Sequence, residues 1–595
     1  MKVENMSPWL RWTLTTLFFV VCYFYFFFFC RYHLAYQEQV QLFMLDKGYF
    51  LSFLSQPGGL MQYFSAFLIQ FYLYPWLAAL VVTLSAFGVF LASRMFLKRI
   101  GMPGLLWALL PPLFIAAQQG HHTYLVGSTI AFMLVVFYAS LYFSLANSIF
   151  RYVYSTAGWS LLYVITGAYA FIAIAAIVLY EIFYRRSPVY APSVILILVT
   201  GGLAPILAAR FLWYSNPAET WANLLPLNIH TSARFAMYAL ILWFPVIMTL
   251  HVRIARMTHQ FGKSIVIHKW QSALAGCMVI ILAGWWIQKK AYDAKTEILL
   301  GIDHSIQQHD WSMALKLSSR YPGSNRMVTY FTNMALYEKG WLGDRMFNYR
   351  QMGSQGLYLN WKNTNLASFF GSELYYRLSY TNEAFRWAFE AMVSEGLNPR
   401  SLKQLALTSI INGDRPVAMK YLDLLEKTIF YRNWALKYKA YLQDTGSLAM
   451  DPELAARMHL SIGQDFWADD SHFDALMSTL LDNHPDNRMA FEYYMASQLL
   501  DLNYSGFASN LTRLKEFGYF RIPRTYEEAL LIYMALYKKN AIPYGYTISD
   551  KTRVRFANYM RALSQYGNDR RAAAKALFNQ YGNTFWYYAS FEKGK

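Results

Sequence analysis

Acidic residues are nearly absent from the first half of this chain: of 35 aspartates and glutamates in 595 residues, only five fall within residues 1–290. A soluble domain of that length needs charges of both signs on its surface, so the shortage excludes an ordinary water-soluble fold here. Cysteine is scarce too. Cys22, Cys30 and Cys277 all lie in apolar stretches, and none has a CxxC or Cys/His neighbour that would suggest zinc or thiol redox chemistry. P-loop, GxSxG and HExxH patterns are missing, as is a glycine-rich dinucleotide turn following a strand. No metal and no cofactor is expected.

What fills the chain instead is apolar: 56% of residues are hydrophobic and 18% aromatic. About 20 apolar residues are needed to cross a bilayer as helix, because every backbone polar group must be satisfied within the segment. Eight stretches qualify or nearly do, near residues 10–30, 75–93, 103–118, 122–146, 158–182, 192–213, 235–252 and 271–288. The first has a long aromatic core and no small-residue cleavage site before Arg31, which marks an anchor rather than a cleaved signal. The expected fold is all-α: a polytopic transmembrane bundle of about eight or more segments over residues 1–290, followed by a soluble helical domain over 291–595.

Of the formal net charge of +18, 13 units belong to residues 1–290, where lysine and arginine flank membrane segments and orient them. Nucleic acid is therefore not an expected partner. An even number of crossings between residues 102 and 184 leaves eleven cations on the cytoplasmic side and six outside, a better fit to the positive-inside tendency than strict alternation. The short segment Gly104 to Gln118, with Pro111 and Pro112, is the candidate irregular piece. This topology predicts a multipass protein of the cytoplasmic (inner) membrane. Its first outer loop (31–74), the loop from Trp213 to Ser232 and the C-terminal domain then face the extracytoplasmic side.

From Ala291 onward charge becomes ordinary, and helical periodicity is broken by short polar turns. "QQHDWSMAL", "GWLGDRMFNY", "SYTNEAFRWAF" and "NGDRPVAMKYL" place Ala314, Asn348, Ala384 and Ala418 at steps of 34, 36 and 34 residues. This resembles the tetratricopeptide period over roughly residues 295–435 and implies an α-solenoid offering a concave face to a protein partner.

Candidate chemistry concentrates in the polar stretches between apolar segments. "RYHLAYQEQVQLFMLDKGYFLSFLSQPGG" alternates polar and apolar residues at near-helical spacing, as in a helix lying in the interface, and carries Glu38 and Asp46. These are either solvated charges or a general base at the rim of a membrane cavity. "QQGHHTY" carries the adjacent His121 and His122, read as polar groups at a helix end or as substrate-binding residues. The later loop supplies Glu219 and His230, followed by Arg234, whose cation suits a phosphate. Glu181 and Arg185, four residues apart, are expected to neutralise each other on one helix face.

The layout of an anchor, a long outer loop with an acidic residue, many crossings and an extracytoplasmic tail resembles polytopic glycosyltransferases of the GT-C type. That resemblance implies a lipid-linked donor such as a polyprenyl-phosphate sugar, with Glu38 or Asp46 as catalytic base. The adjacent acidic pair usual in those enzymes is missing, the two acids standing eight residues apart. The chain as a whole, with "SQPGGLMQYFSAFLIQFYLYP" and its repeat tail, also resembles an uncharacterised family of bacterial multipass membrane proteins. Two functions follow as expectations: a transferase in envelope glycan assembly, or a non-enzymatic membrane scaffold presenting a solenoid to envelope partners.

Overall fold

The computed structural model describes residues 8–592 except 103, 186–190, 214–219, 222, 224–233, 262–277, 279–280, 287, 361–364, 445, 447–449, 463–471 and 540–545. Helices dominate, and no strand occurs among the described residues. The chain divides into two compact units, Met1–Ala294 and Lys295–Lys595.

The first unit begins with α1 (Pro8–Phe29), 22 residues whose single charge is Arg11. At 1.5 Å per residue it reaches about 33 Å, enough to cross a bilayer. Three short helices follow: α2 (Arg31–Val40), α3 (Lys47–Phe53) and α4 (Gly59–Ile69). In α5 (Pro75–Arg99), Pro75 occupies the first turn, where no amide donor is needed, and Lys98 and Arg99 close the last turn against the helix dipole. Then come α6 (Leu105–Gln119), α7 (Val126–Tyr142), α8 (Ser148–Tyr184), α9 (Pro192–Trp213) and α10 (Arg234–Phe261). Five of these helices are long and apolar enough to cross a membrane: α1, α5, α8, α9 and α10 over Arg234–Arg253.

Several expectations change. The segments at 103–118 and 122–146 are helices of only 15 and 17 residues, and Pro111 and Pro112 sit inside an otherwise continuous α6. Most of the segment at 271–288 lies outside the described residues. Residues 31–53 do not form one interfacial helix: α2 packs against α5 and buries His33, Leu34, Tyr36, Gln37 and Glu38. A Pro57-Gly58-Gly59 turn lets α4 return. Gly58 holds φ at 72°, and a Cβ on Gly59 would stand 1.6 Å from the Phe53 carbonyl oxygen, so only glycine fits. The hub of the unit is α5, which contacts α1, α2, α6 and α7, with Ala79, Ala86, Val89 and Phe90 wholly buried in the core.

In the second unit, helices 365–377, 381–395, 399–411, 415–426 and 432–443 pack each on the next in chain order. Ala314, Ala384 and Ala418 are fully buried, as close helix contact requires. Asn348 differs: it ends a 3-10 turn on the surface, where a full helix would be needed to keep the 34-residue phase. Buried ion pairs tie distant helices together. Arg400 makes two bonds to Asp303 at 2.8 and 2.9 Å, and Arg377 reaches Glu338 at 2.6 Å and Glu373 at 2.7 Å.

Candidate functional site

Helix α2 meets the end of α6, and there the polar residues of two separate sequence stretches come together. His33 and Gln37 stand four residues apart and so share one face of α2. The last carbonyls of a helix have no acceptor role inside it and need outside donors. His33 Nε2 lies 3.0 Å from the Gln119 carbonyl, and Gln37 Nε2 donates to the carbonyls of both His122 and Tyr124 at 3.0 Å. The two helices are locked together through backbone acceptors of "QQGHHTY".

Those side chains are buried and polar. Gln119 donates to Ser85 Oγ at 3.0 Å and Thr129 Oγ1 at 2.9 Å, and its Oε1 has no hydrogen-bond partner among the described residues. Gln118 is 0% exposed with both amide atoms unpartnered among the described residues. A buried amide without partners costs roughly 1–3 kcal/mol, so this position favours a polar companion.

His121 accepts the Thr123 backbone N–H at its Nδ1 (3.3 Å), with the Thr123 hydroxyl 2.8 Å away. An accepting Nδ1 places the proton of the neutral ring on Nε2. The two imidazoles lie 4.5 Å apart between centroids. Burial, reinforced by each other and by His33, holds His122 down at about 4, while burial and His33 lower His121; Asp293 opposes the shift in both. Both rings are neutral near pH 7.

Glu38 is 3% exposed, on the same short helix as His33 and Gln37. The expectation of a solvated interfacial charge is corrected by its burial. Arg234 begins α10, whose next two residues, Phe235 and Ala236, pack with Ala117 and Tyr124, so the cation stands at the same end of the unit as the histidines. Asp46 has a separate task. Its Oδ2 accepts the Tyr49 N–H at 3.1 Å and caps α3. Glu219 and His230 lie outside the described residues. The described part of their loop docks beside the Pro57-Gly58-Gly59 turn: Trp213 Nε1 donates to the Leu54 carbonyl at 3.0 Å, and Asn223 Nδ2 to the Pro57 carbonyl at 2.9 Å. No cluster of three or more metal-ligating side chains occurs among the described residues.

Sequence reasoning missed His33, Gln37, Gln118, Gln119 and Asp293 as members of this group. The signal available was the shared amide and imidazole content of "RYHLAYQEQ" and "QQGHHTY", two polar stretches each following an apolar helix. The side chain of Arg185, the partner expected for Glu181, lies outside the described residues. The Glu181 carboxylate accepts from Arg151 at 2.8 Å and from Tyr142 at 2.9 Å, which brings it a counter-ion from thirty residues upstream that sequence reasoning did not foresee.

Residues 6–592 match a family described as a family of unknown function, DUF6057. No curated protein and no solved structure matches the chain.

Proposed function

Since the chain belongs to the DUF6057 family, whose description assigns no activity, we propose from its residues that it is a multipass membrane transferase acting on a lipid-linked, phosphate-bearing sugar. The single observation that carries this reading is the burial of Glu38 on the helix whose His33 and Gln37 clasp "QQGHHTY". One carboxylate, two neutral imidazoles, an unpartnered amide and a nearby arginine make a suitable set for glycosyl transfer. In that reaction an acceptor hydroxyl oxygen bonds to the anomeric carbon, the bond from that carbon to the lipid-phosphate oxygen breaks, and the hydroxyl proton passes to a base. Glu38 takes the proton. Imidazole N–H groups of His121 and His122 and the Arg234 cation face the leaving phosphate, where charge accumulates. We place the site on the extracytoplasmic side of the cytoplasmic membrane, with a polyprenyl-phosphate sugar as donor class.

The test is the Glu38→Gln variant of the full chain, with membrane insertion and folding verified. It should lower formation of an envelope glycan by about 10²–10⁴-fold, the usual contribution of a general base. Asp46→Asn, which alters a helix cap, should retain it. Full product from Glu38→Gln would end the transferase reading.

A second reading is supported by the chain-order packing of the helices from 365 to 443. In it the membrane unit anchors a TPR-like solenoid, which organises envelope proteins without catalysis. Deletion of residues 295–595 then removes the whole phenotype, while Glu38→Gln leaves it intact.

A further inference from the structure

The second unit contains a cleft of about 1010 Å³ far richer in cations than its acids can balance. Six arginines and lysines line it against three carboxylates, and each carboxylate is already engaged. Asp344 accepts the Arg524 backbone N–H at 2.7 Å, Glu527 accepts the Ser549 and Thr552 hydroxyls at 2.7 and 2.5 Å, and Glu528 accepts the Phe585 N–H at 2.7 Å with Arg524 beside it at 3.4 Å. Among the described residues Arg345, Lys515, Lys551 and Arg555 form no ion pair. Arg521 is 85% exposed and touches Asp344 only at 3.6 Å. Like charges gathered in a concavity raise its potential and attract anions.

A second feature points to the body of the ligand. Phe520 is 104% exposed in the lining of this cleft. The chain holds it there by a helix-ending turn: Gly518 at φ 73°, with Tyr519 N–H bonded to the Leu514 carbonyl at 3.0 Å and Gly518 N–H to that of Lys515 at 3.1 Å. A fully exposed phenyl ring among cations gives an apolar face on which the flat side of a sugar ring stacks while its charged groups meet the lysines.

We propose that this cleft binds an anionic saccharide, sugar rings carrying several carboxylate or phosphate groups. A single inorganic anion would fill a small part of the volume. A peptide added as an extra strand would need a sheet edge, and no strand occurs among the described residues. The proposal is independent of catalysis in the first unit.

Its test is calorimetric titration of the purified full chain in detergent with pentagalacturonate as anionic probe, neutral maltopentaose as control and inorganic pyrophosphate as sugar-free anion. Pentagalacturonate should bind saturably and weaken steeply with salt, maltopentaose should not bind, and pyrophosphate should bind more weakly. Lys515→Ala with Lys551→Ala, both exposed and neither in an ion pair among the described residues, should weaken binding at least about tenfold and reduce its salt dependence. Phe520→Ala should weaken it about threefold to tenfold with the salt dependence retained. Unchanged affinity in the double variant, no saturable binding by the wild type, or equal binding of pyrophosphate or of an oligo-aspartate peptide would overturn the proposal.

Discussion

Arg151 and Glu181 are 3% and 0% exposed, and they face one another at 2.8 Å within an apolar unit. Two charges removed from water are tolerable only together, since each neutralises the field of the other. Tyr142 donates to the same Glu181 oxygen, and Arg151 Nε donates to the Leu145 carbonyl at 2.6 Å.

Removing one partner should therefore do more harm than removing both. Arg151→Met or Glu181→Leu alone should cost about 3–5 kcal/mol, because a buried charge is stranded. The double variant should recover most of that loss. Thermal unfolding in one detergent, read as a double-mutant cycle, checks this; additive losses would show that the two residues do not act as a pair.

Gln37 holds two carbonyls with one amide nitrogen. Gln37→Leu keeps the volume but leaves both acceptors buried without that donor, a loss of roughly 2–4 kcal/mol. Hydrogen exchange should show faster opening at residues 119–124, and Gln37→Glu should not rescue it, since a carboxylate accepts but cannot donate. Unchanged protection at 119–124 would refute the clasp.

His122 predicts loss of stability in acid. In the folded chain its ring resists protonation down to about 4, whereas the unfolded value is 6.5. Between those values the unfolded state binds more protons, so this contribution is complete above pH 6.5 and is lost as pH falls toward 4, up to roughly 3 kcal/mol. His122→Phe should flatten the stability profile over that interval relative to wild type. An unaltered profile would mean that the ring is not held neutral.

Glu528 predicts the opposite slope in the second unit. Burial pushes its carboxyl up to about 7 from 4.5, although Arg524 and the Phe585 N–H both favour the anion. The folded state now holds the proton more tightly, so stability is greatest below pH 4.5 and falls as pH rises through 7, by roughly 3 kcal/mol. Trp586 donates its indole N–H to the Glu528 carbonyl at 2.8 Å and reports unfolding there. Glu528→Gln, which keeps an acceptor for Phe585, should be more stable than wild type at pH 8 and equal to it near pH 4.5.

Much of the helical content was legible because backbone groups in an apolar run have no partner except their own helix, which is why residues 8–29 and 75–99 read clearly. Lengths around 103–146 were harder. Apolar composition persists past the helix ends there, into turns whose carbonyls are met by α2 rather than by water. Asp46 and Glu38 looked equivalent as two acids in one polar stretch. Only Asp46 stands three residues before a helix amide it can cap, while Glu38 sits on the face of α2 that turns inward.

The sequence by itself determined that this chain is helical, that its first half carries helices long and apolar enough to cross a membrane, and that its polar residues there are few enough to be noticed. Those properties follow from composition and period, which are local. The tertiary structure decided which polar residues meet: His33 and Gln37 with "QQGHHTY" 85 to 87 positions away, and Arg151 with Glu181 across thirty. Such pairings depend on how helices cross, and buried donors and acceptors take whichever partner that packing brings within about 3 Å.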